Sequence, residues 1–321
     1  MGSYIIRHFE SKDFMPMLEL WNTCVPADGI NQDLFERKVI LDPNFDPEGL
    51  IIAESEGKLV GFILGIIRKV PMEIIGLQED LGWITMFGVK SEYRGQGIGK
   101  ALWGKSDEFF RKHHRKLISI ATYSPNYFIP GIDIKEYPDA VKFCEKLGFV
   151  AGARPLSMDN PIVTYKIPES LALKEIQLNK EGITFRQYSR ELIMPMLDFM
   201  KNHMPGDWLK GIRDNLTLLT INKFKEEQIQ VALEGDQIIG YAQYEEDHFG
   251  PFGVRDDYQG RGIGQVLLAR TIQSMHNRGH HVAWFLWTDD KAAHVYQKVG
   301  FKETRRFVVM KKELKYEEGA E

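Results

Sequence analysis

The chain has 321 residues, 41 Lys and Arg against 45 Asp and Glu, a formal net charge of −4 and a hydrophobic share of 43%. This length suits two domains with a core each, and the composition excludes a disordered chain. The balanced charge argues against a protein held mainly by nucleic-acid backbone, and no apolar run approaches the roughly 18 residues of a membrane span.

Taken in chain order, the sequence says everything twice. Tyr4-Ile-Ile-Arg-His-Phe-Glu-Ser opens the first half, and Ile183-Thr-Phe-Arg-Gln-Tyr-Ser-Arg opens the second. Met15-Pro-Met-Leu18 recurs as Met194-Pro-Met-Leu197, and Gly61 as Gly240. Gly88-Val-Lys-Ser-Glu-Tyr-Arg-Gly-Gln-Gly-Ile-Gly99 recurs as Gly253-Val-Arg-Asp-Asp-Tyr-Gln-Gly-Arg-Gly-Ile-Gly264. Lys146-Leu-Gly-Phe149 recurs as Lys298-Val-Gly-Phe301. The first copy carries two extra segments, one between Gly61 and Gly88 and one between Gly99 and Gly148. A tandem duplication follows. Its domains are expected at 1–168 and 180–321, joined by a polar stretch over 169–179.

Each copy reads β-α-α-β-β-β-α-β-α-β-β, a mixed α/β sheet. In the second, Ser189 is expected to cap a helix with Leu192, Met196, Phe199 and Met200 at helical spacing. Val231–Glu234 and Ile238–Tyr244 form a hairpin around a Glu-Gly-Asp turn. Phe252–Val254 is a short strand, and a helix runs from Gly262 to Gly279. Val282–Trp287 is the next strand. A short helix ends at Gly300, and a last hairpin begins at Phe301.

The chemical signal is the glycine turn between a strand and a helix. It reads Arg94-Gly95-Gln96-Gly97-Ile98-Gly99 in the first copy and Gln259-Gly260-Arg261-Gly262-Ile263-Gly264 in the second. A helix N-terminus leaves backbone N–H groups unpaired at a positive dipole end, and glycine lets a phosphate approach them. A Walker loop fails, because Gly95 and Gly99 enclose three residues and Ala101 follows Lys100. A dinucleotide fingerprint fails too, because Lys100 and Gln265 stand where glycine is required.

This pattern resembles the pyrophosphate-binding motif of the GNAT superfamily of acyl-CoA-dependent N-acetyltransferases. Asp289-Asp-Lys-Ala-Ala-His-Val-Tyr-Gln-Lys-Val-Gly-Phe301 is similar to that family's late helix, where a Tyr stands four residues before Gly-Phe. The resemblance spans nearly the whole chain as two domains, a plan shared by tandem members such as mycothiol synthase, whose C-terminal copy is the catalytic one. It implies acetyl-CoA as cosubstrate and an amine acceptor, small or peptidic. Backbone groups of Gln259, Gly260, Arg261, Gly262, Ile263 and Gly264 would hold the pyrophosphate, and Phe252 and Val254 would pair with the pantetheine arm. Val89, Arg94, Gly95, Gln96, Gly97 and Gly99 would do the same in the first copy.

The resemblance also implies Tyr296 as general acid to the leaving thiolate. Its counterpart is Cys144, a poorer match to a thiol leaving group, so the second copy is the expected catalyst. Tyr127 or Tyr137 would replace the donor if the first copy worked instead. The family's usual carboxylate on the strand Phe249–Val254 is missing, which leaves Glu246 and His248 as base candidates. A non-enzymatic acyl-CoA sensor or scaffold is the rival of another class. Two cysteines, Cys24 and Cys144, and the isolated pair His276 and His280 give no metal site. Arg111–Lys116 reads as a solvated helix end and not as a nucleic-acid patch. Arg7 and His8 interrupt any leader-like apolar core, so a soluble cytoplasmic protein is expected.

Overall fold

The computed structural model describes residues 3–316. The first repeat contains β1 (Ile5–His8), α1 (Phe14–Cys24), α2 (Gln32–Phe35), β2 (Leu50–Ser55), β3 (Lys58–Ile66), β4 (Leu81–Val89), α3 (Ile98–Lys112), β5 (Leu117–Ile120), β6 (Ile132–Asp133), α4 (Pro138–Lys146), β7 (Val150–Ala151) and β8 (Leu156–Pro161). Then come α5 (Glu169–Lys180), β9 (Ile183–Gln187), α6 (Ile193–His203), α7 (Trp208–Thr220), β10 (Ile229–Glu234), β11 (Gln237–Glu245), β12 (His248–Val254), α8 (Ile263–Asn277), β13 (Val282–Thr288), α9 (Asp290–Gln297), β14 (Lys302–Val308) and β15 (Met310–Glu313). No helix among the described residues is long and apolar enough to cross a membrane.

The mixed-sheet order expected for each repeat is present, with three local differences. The stretch 169–179, expected as a polar connection, lies inside α5, whose Leu171 and Leu178 are buried. Ser189 is the N-cap residue of a 3-10 turn that runs into α6 at Ile193, but its hydroxyl bonds the Glu191 carboxylate and caps no backbone N–H. The strand expected at Phe252–Val254 begins earlier, at His248.

The chain resolves into two compact units that are not colinear with the repeats. Unit 1 holds the described residues up to Pro71, Gly76–Pro155 and the chain from Phe307 on; unit 2 holds Met72–Ile75 and Leu156–Arg306. The sheet of unit 1 is ordered β1-β2-β3-β4-β5-β15-β7. That of unit 2 runs β14-β8-β13-β12-β11-β10-β9, with β6 beside the end of β14 at Phe307 and Val308. Each repeat's last strand has therefore been exchanged. β15 lies antiparallel between β5 and β7 in unit 1. β8 lies antiparallel between β13 and β14 in unit 2.

Each sheet is covered on both faces, as its apolar residues require. In unit 1, Ile63, Ile84, Leu102, Phe110 and Met310 belong to the core beneath α3 and α4. Trp21, Phe62, Trp83 and Met86 belong to the opposite core, beneath α1. In unit 2, Ile263, Leu267, Phe285 and Tyr296 pack in the core beneath α5, α8 and α9. Met196, Leu209 and Tyr241 fill the core beneath α6 and α7.

Candidate active site

Both glycine turns fold alike. After β4, a 3-10 turn over Ser91–Tyr93 leads into Gly95 (φ +76) and Gly97 (φ +86). After β12, Asp256–Tyr258 leads into Gly260 (φ +78) and Gly262 (φ +92). These left-handed angles disfavour L side chains, which accounts for the glycines. Gly97 and Gly262 are the N-caps of α3 and α8, and neither helix start has a side-chain cap. The free first-turn N–H groups form an anion cradle. Arg94 Nε donates to the Val89 carbonyl at 3.0 Å, and Gln259 Nε2 to the Val254 carbonyl at 3.2 Å. These side chains thus brace the turn against the strand end. Gln96 Nε2 bonds the Glu92 carbonyl in the same way.

What lies in front of the cradle differs. In unit 1, β4 and β5 pair in parallel only over Leu81–Ile84 and Leu117–Ile120. Thr85 is an extra residue between the Ile84 and Met86 pairings with β3, a bulge where the two strands part. A cavity of about 620 Å³ occupies the opening, within the range of small-molecule sites. Gly95, Gly97 and Gly99 line one end, and Ala140 and Phe143 of α4 line the same face. Trp21, Cys24, Val25, Phe62 and Met86 line it from the α1 side. Because its walls come from both cores, the groove passes through the sheet.

Tyr137, just before α4, lines this groove, and its hydroxyl donates to Asp28 Oδ2 at 2.9 Å. Tyr127 does not line it: its carbonyl accepts from Lys38 Nζ. Glu136 and Asp139 are the carboxylates on the wall. Cys144 is on the buried face of α4, where desolvation pushes its thiol up to about 12; Cys24 reaches about 11 for the same cause. Both stay neutral thiols at ordinary pH.

In unit 2 the corresponding space is filled. β12 and β13 share one parallel pairing, His248 with Trp284. The Tyr296 ring lies 4.4 Å from Phe285, 5.7 Å from Phe301 and 6.0 Å from both Phe249 and Phe252, centre to centre. Burial among these rings raises its phenol well above the ordinary range, so it stays protonated. The substitutions that close the gap are visible position by position. Four residues before Gly88 stands Ile84; four before Gly253 stands Phe249. Two before Lys146 stands Cys144; two before Lys298 stands Tyr296.

The second cradle is also covered. A Cβ at Gly262 would fall 2.8 Å from Lys174 Cε of α5. Arg261 pairs with Glu181 at 2.9 Å, and Arg270 with Glu175 at 2.8 Å, so α5 is clamped along α8. Ile263 is buried, Val254 is half-buried, and the Phe252 ring would lie 3.0 Å from a Cβ at Gly264. Glu246 (φ +51) sits in the exposed turn between β11 and β12. His248 lies opposite Glu245, its ring 4.7 Å from Trp284. Sequence reasoning missed Asp28 and the Cys24–Pro26 segment, which sits far from any motif; only the missing tyrosine at 144 pointed to Tyr137.

A family profile described as the acetyltransferase (GNAT) family matches residues 13–128, and one described as an acetyltransferase (GNAT) domain matches residues 218–313. A mycothiol acetyltransferase of Streptomyces griseus is 44% identical over 71 residues, 22% of this chain and 20% of that protein. The first relatives are matched over a fifth to three fifths of their own length. A tandem GNAT protein from the clavulanic acid biosynthesis pathway superposes with a TM-score of 0.63 at 12% identity, covering 97% of this chain and 98% of its own. A GCN5-related glucosamine N-acetyltransferase region of a fungal β-N-acetylglucosaminidase gives a TM-score of 0.81 at 19% identity, covering 97% and 38%. At these identities the structural likeness concerns the fold.

Proposed function

Because the chain belongs to the GNAT acetyltransferase family, we propose that it transfers an acetyl group from acetyl-CoA to an amine, and that the transfer takes place in unit 1. The observation that carries the second half is the open groove between β4 and β5, with a glycine turn at one end. The walls fit the cosubstrate. Backbone N–H groups from Gly97 to Lys100 would hold a pyrophosphate, the parted edge of β4 over Phe87–Val89 suits an extended arm, and the bulge at Thr85 opens the path beyond.

Bound acetyl-CoA supplies an activated thioester carbonyl. The chain's part is to orient it, to exclude water with Phe62, Met86 and Phe143, and to handle two protons. One leaves the nitrogen as the C–N bond forms; one reaches the sulfur as the C–S bond breaks. Two phenols line the groove, Tyr93 in the turn after β4 and Tyr137 at the start of α4; the bond of Tyr137 to Asp28 fixes its orientation. We assign Tyr137 the delivery to sulfur, for which its single O–H turns from Asp28 to the leaving thiolate. Glu136, the adjacent carboxylate on the wall, is the acceptor of the amine proton.

A second reading keeps catalysis in unit 2, with Tyr296 as general acid and Glu246 or His248 as base. Its support is that burial holds the Tyr296 phenol protonated, as a donor must be. It also requires α5 and the ring cluster to move aside. The test is acetyl-CoA calorimetry together with thiol release over an amine panel. On the unit 1 reading, Tyr137→Phe lowers turnover by about 10²–10⁴-fold with acetyl-CoA affinity kept. Full turnover in that variant excludes the assignment.

A further inference from the structure

The groove that passes through the unit 1 sheet has two chemically different halves. The half beneath α3 and α4 carries the glycine turn, Arg94, Lys100 and the carboxylates Glu136 and Asp139. The half beneath α1 is walled by Trp21, Cys24, Val25, Phe62 and Met86, each at most 8% exposed. From the Cys24 region only Thr23 adds a polar side chain to the wall. The Cys24 thiol is neutral, as its burial dictates. Trp21 packs against Phe62 and Phe128 with ring centres 5.9 and 5.2 Å apart, so this half is backed by packed aromatic rings from α1, β3 and the loop before β6.

We propose that the acceptor is a primary amine on an apolar body, an arylalkylamine or alkylamine, seated against Trp21, Cys24, Val25, Phe62 and Met86. The proposal rests on acetyl transfer in unit 1. Its physical basis is what each class of amine would leave unpaired. A polyamine brings further ammonium groups, and a buried charge without a partner is strongly unfavourable. The carboxylates lining the groove, Glu136 and Asp139, stand on the α4 segment, and Asp28 is engaged by Tyr137. An amino sugar brings hydroxyls that would lose water without gaining hydrogen bonds from Val25, Phe62 or Met86. A ring or an alkyl chain loses only its apolar hydration and gains aromatic contact. The single ammonium then points to the Glu136 and Tyr137 end, where its proton is removed before transfer.

The test uses the full chain, acetyl-CoA and four amines at matched concentration: phenethylamine, hexylamine, spermidine and glucosamine. Thiol release gives kcat/KM, and calorimetry with CoA present gives amine binding without turnover. We expect phenethylamine or hexylamine to exceed spermidine and glucosamine by at least tenfold in kcat/KM and to give the measurable binding heat. Val25→Asp, in the segment after α1, should cut phenethylamine kcat/KM at least tenfold. Its acetyl-CoA affinity should stay within twofold, which also reports that unit 1 is folded. Cys24→Ser, a smaller change on the same wall but against Gly88 of β4, should weaken phenethylamine more than acetyl-CoA. Preference for spermidine or glucosamine, or no turnover of either apolar amine with acetyl-CoA bound, overturns the acceptor class and leaves the transfer reading standing. Absence of acetyl-CoA binding to the chain removes both.

Discussion

Gly97→Asn separates the two cradles with little disturbance of the fold. Asn tolerates left-handed backbone better than other side chains, so the φ of +86 is retained at a cost below the usual ~1–2 kcal/mol. A stiffer unfolded chain offsets about 0.4–1 kcal/mol of that cost. The nearest atom to a Cβ at this position is the Tyr4 hydroxyl, at 3.7 Å, so the new side chain has room at the helix start. There it takes the place of a phosphate. Hydrogen bonds to a charged group contribute about 1.5–3 kcal/mol each. Losing two weakens acetyl-CoA by about 3–6 kcal/mol, or roughly 10²–10⁴-fold. Gly262→Asn is the matched control: its backbone demand is the same (φ +92), but Lys174 already covers the turn, so affinity should not change. Calorimetry reads the affinities, and thermal melts should place both variants within about 4 °C of the parent. The assignment of the cosubstrate to unit 1 is refuted if Gly97→Asn binds like the parent while Gly262→Asn does not.

Three further outcomes follow from the same geometry. Tyr296→Phe should keep turnover within twofold, whereas Tyr296→Ala, which empties the space between four phenylalanines, should cost about 3–5 kcal/mol in urea unfolding; a hundredfold loss of turnover in the Phe variant would instead support unit 2 chemistry. Lys38 keeps part of its stem exposed while its ammonium sits near the Tyr127 and Phe128 rings, and burial with nearby Arg37 pushes it down from 10.5 to about 8. Between those values the unfolded chain holds a proton that the folded chain has released, so stability rises with pH from about 8 to 10.5; subtracting the profile of Lys38→Met should isolate that rise, and identical profiles would count against it. A chain ended after Arg306 loses β15, with buried Met310 and Leu314, and leaves β5 and β7 without their shared partner; it should lose acetyl-CoA binding, and retained affinity would mean that the exchanged strand does not shape the groove.

The glycine turns were legible because their causes are local. A positive φ favours glycine, and a helix start follows within three residues, so Gly95, Gly97, Gly260 and Gly262 announce themselves without tertiary context. The order of elements was legible for a similar reason, since each repeat vouched for the other. The state of the space between the parted strands was not. Tyr296 stands at the spacing the family motif gives it, but whether a cosubstrate fits beside it depends on Phe249, Phe285 and Phe301, brought in from three other segments. The strand exchange was hidden as well. β8 and β15 read as ordinary final strands, because a period-two pattern records which face is buried and not which neighbour supplies the hydrogen bonds.

That exchange gives the second repeat a hold on the first that has nothing to do with its own filled groove. β5 forms one bank of the unit 1 opening, and its other edge is hydrogen-bonded to β15, drawn from the far end of the chain. A duplicated enzyme domain that loses its pocket can ordinarily be discarded by deletion. Here deletion would strip a strand from the sheet that carries the open groove, and the reciprocal loss of β8 would open the sheet of unit 2. The ring cluster around Tyr296 thus packs unit 2, while the last strand behind it completes the sheet that carries the unit 1 groove.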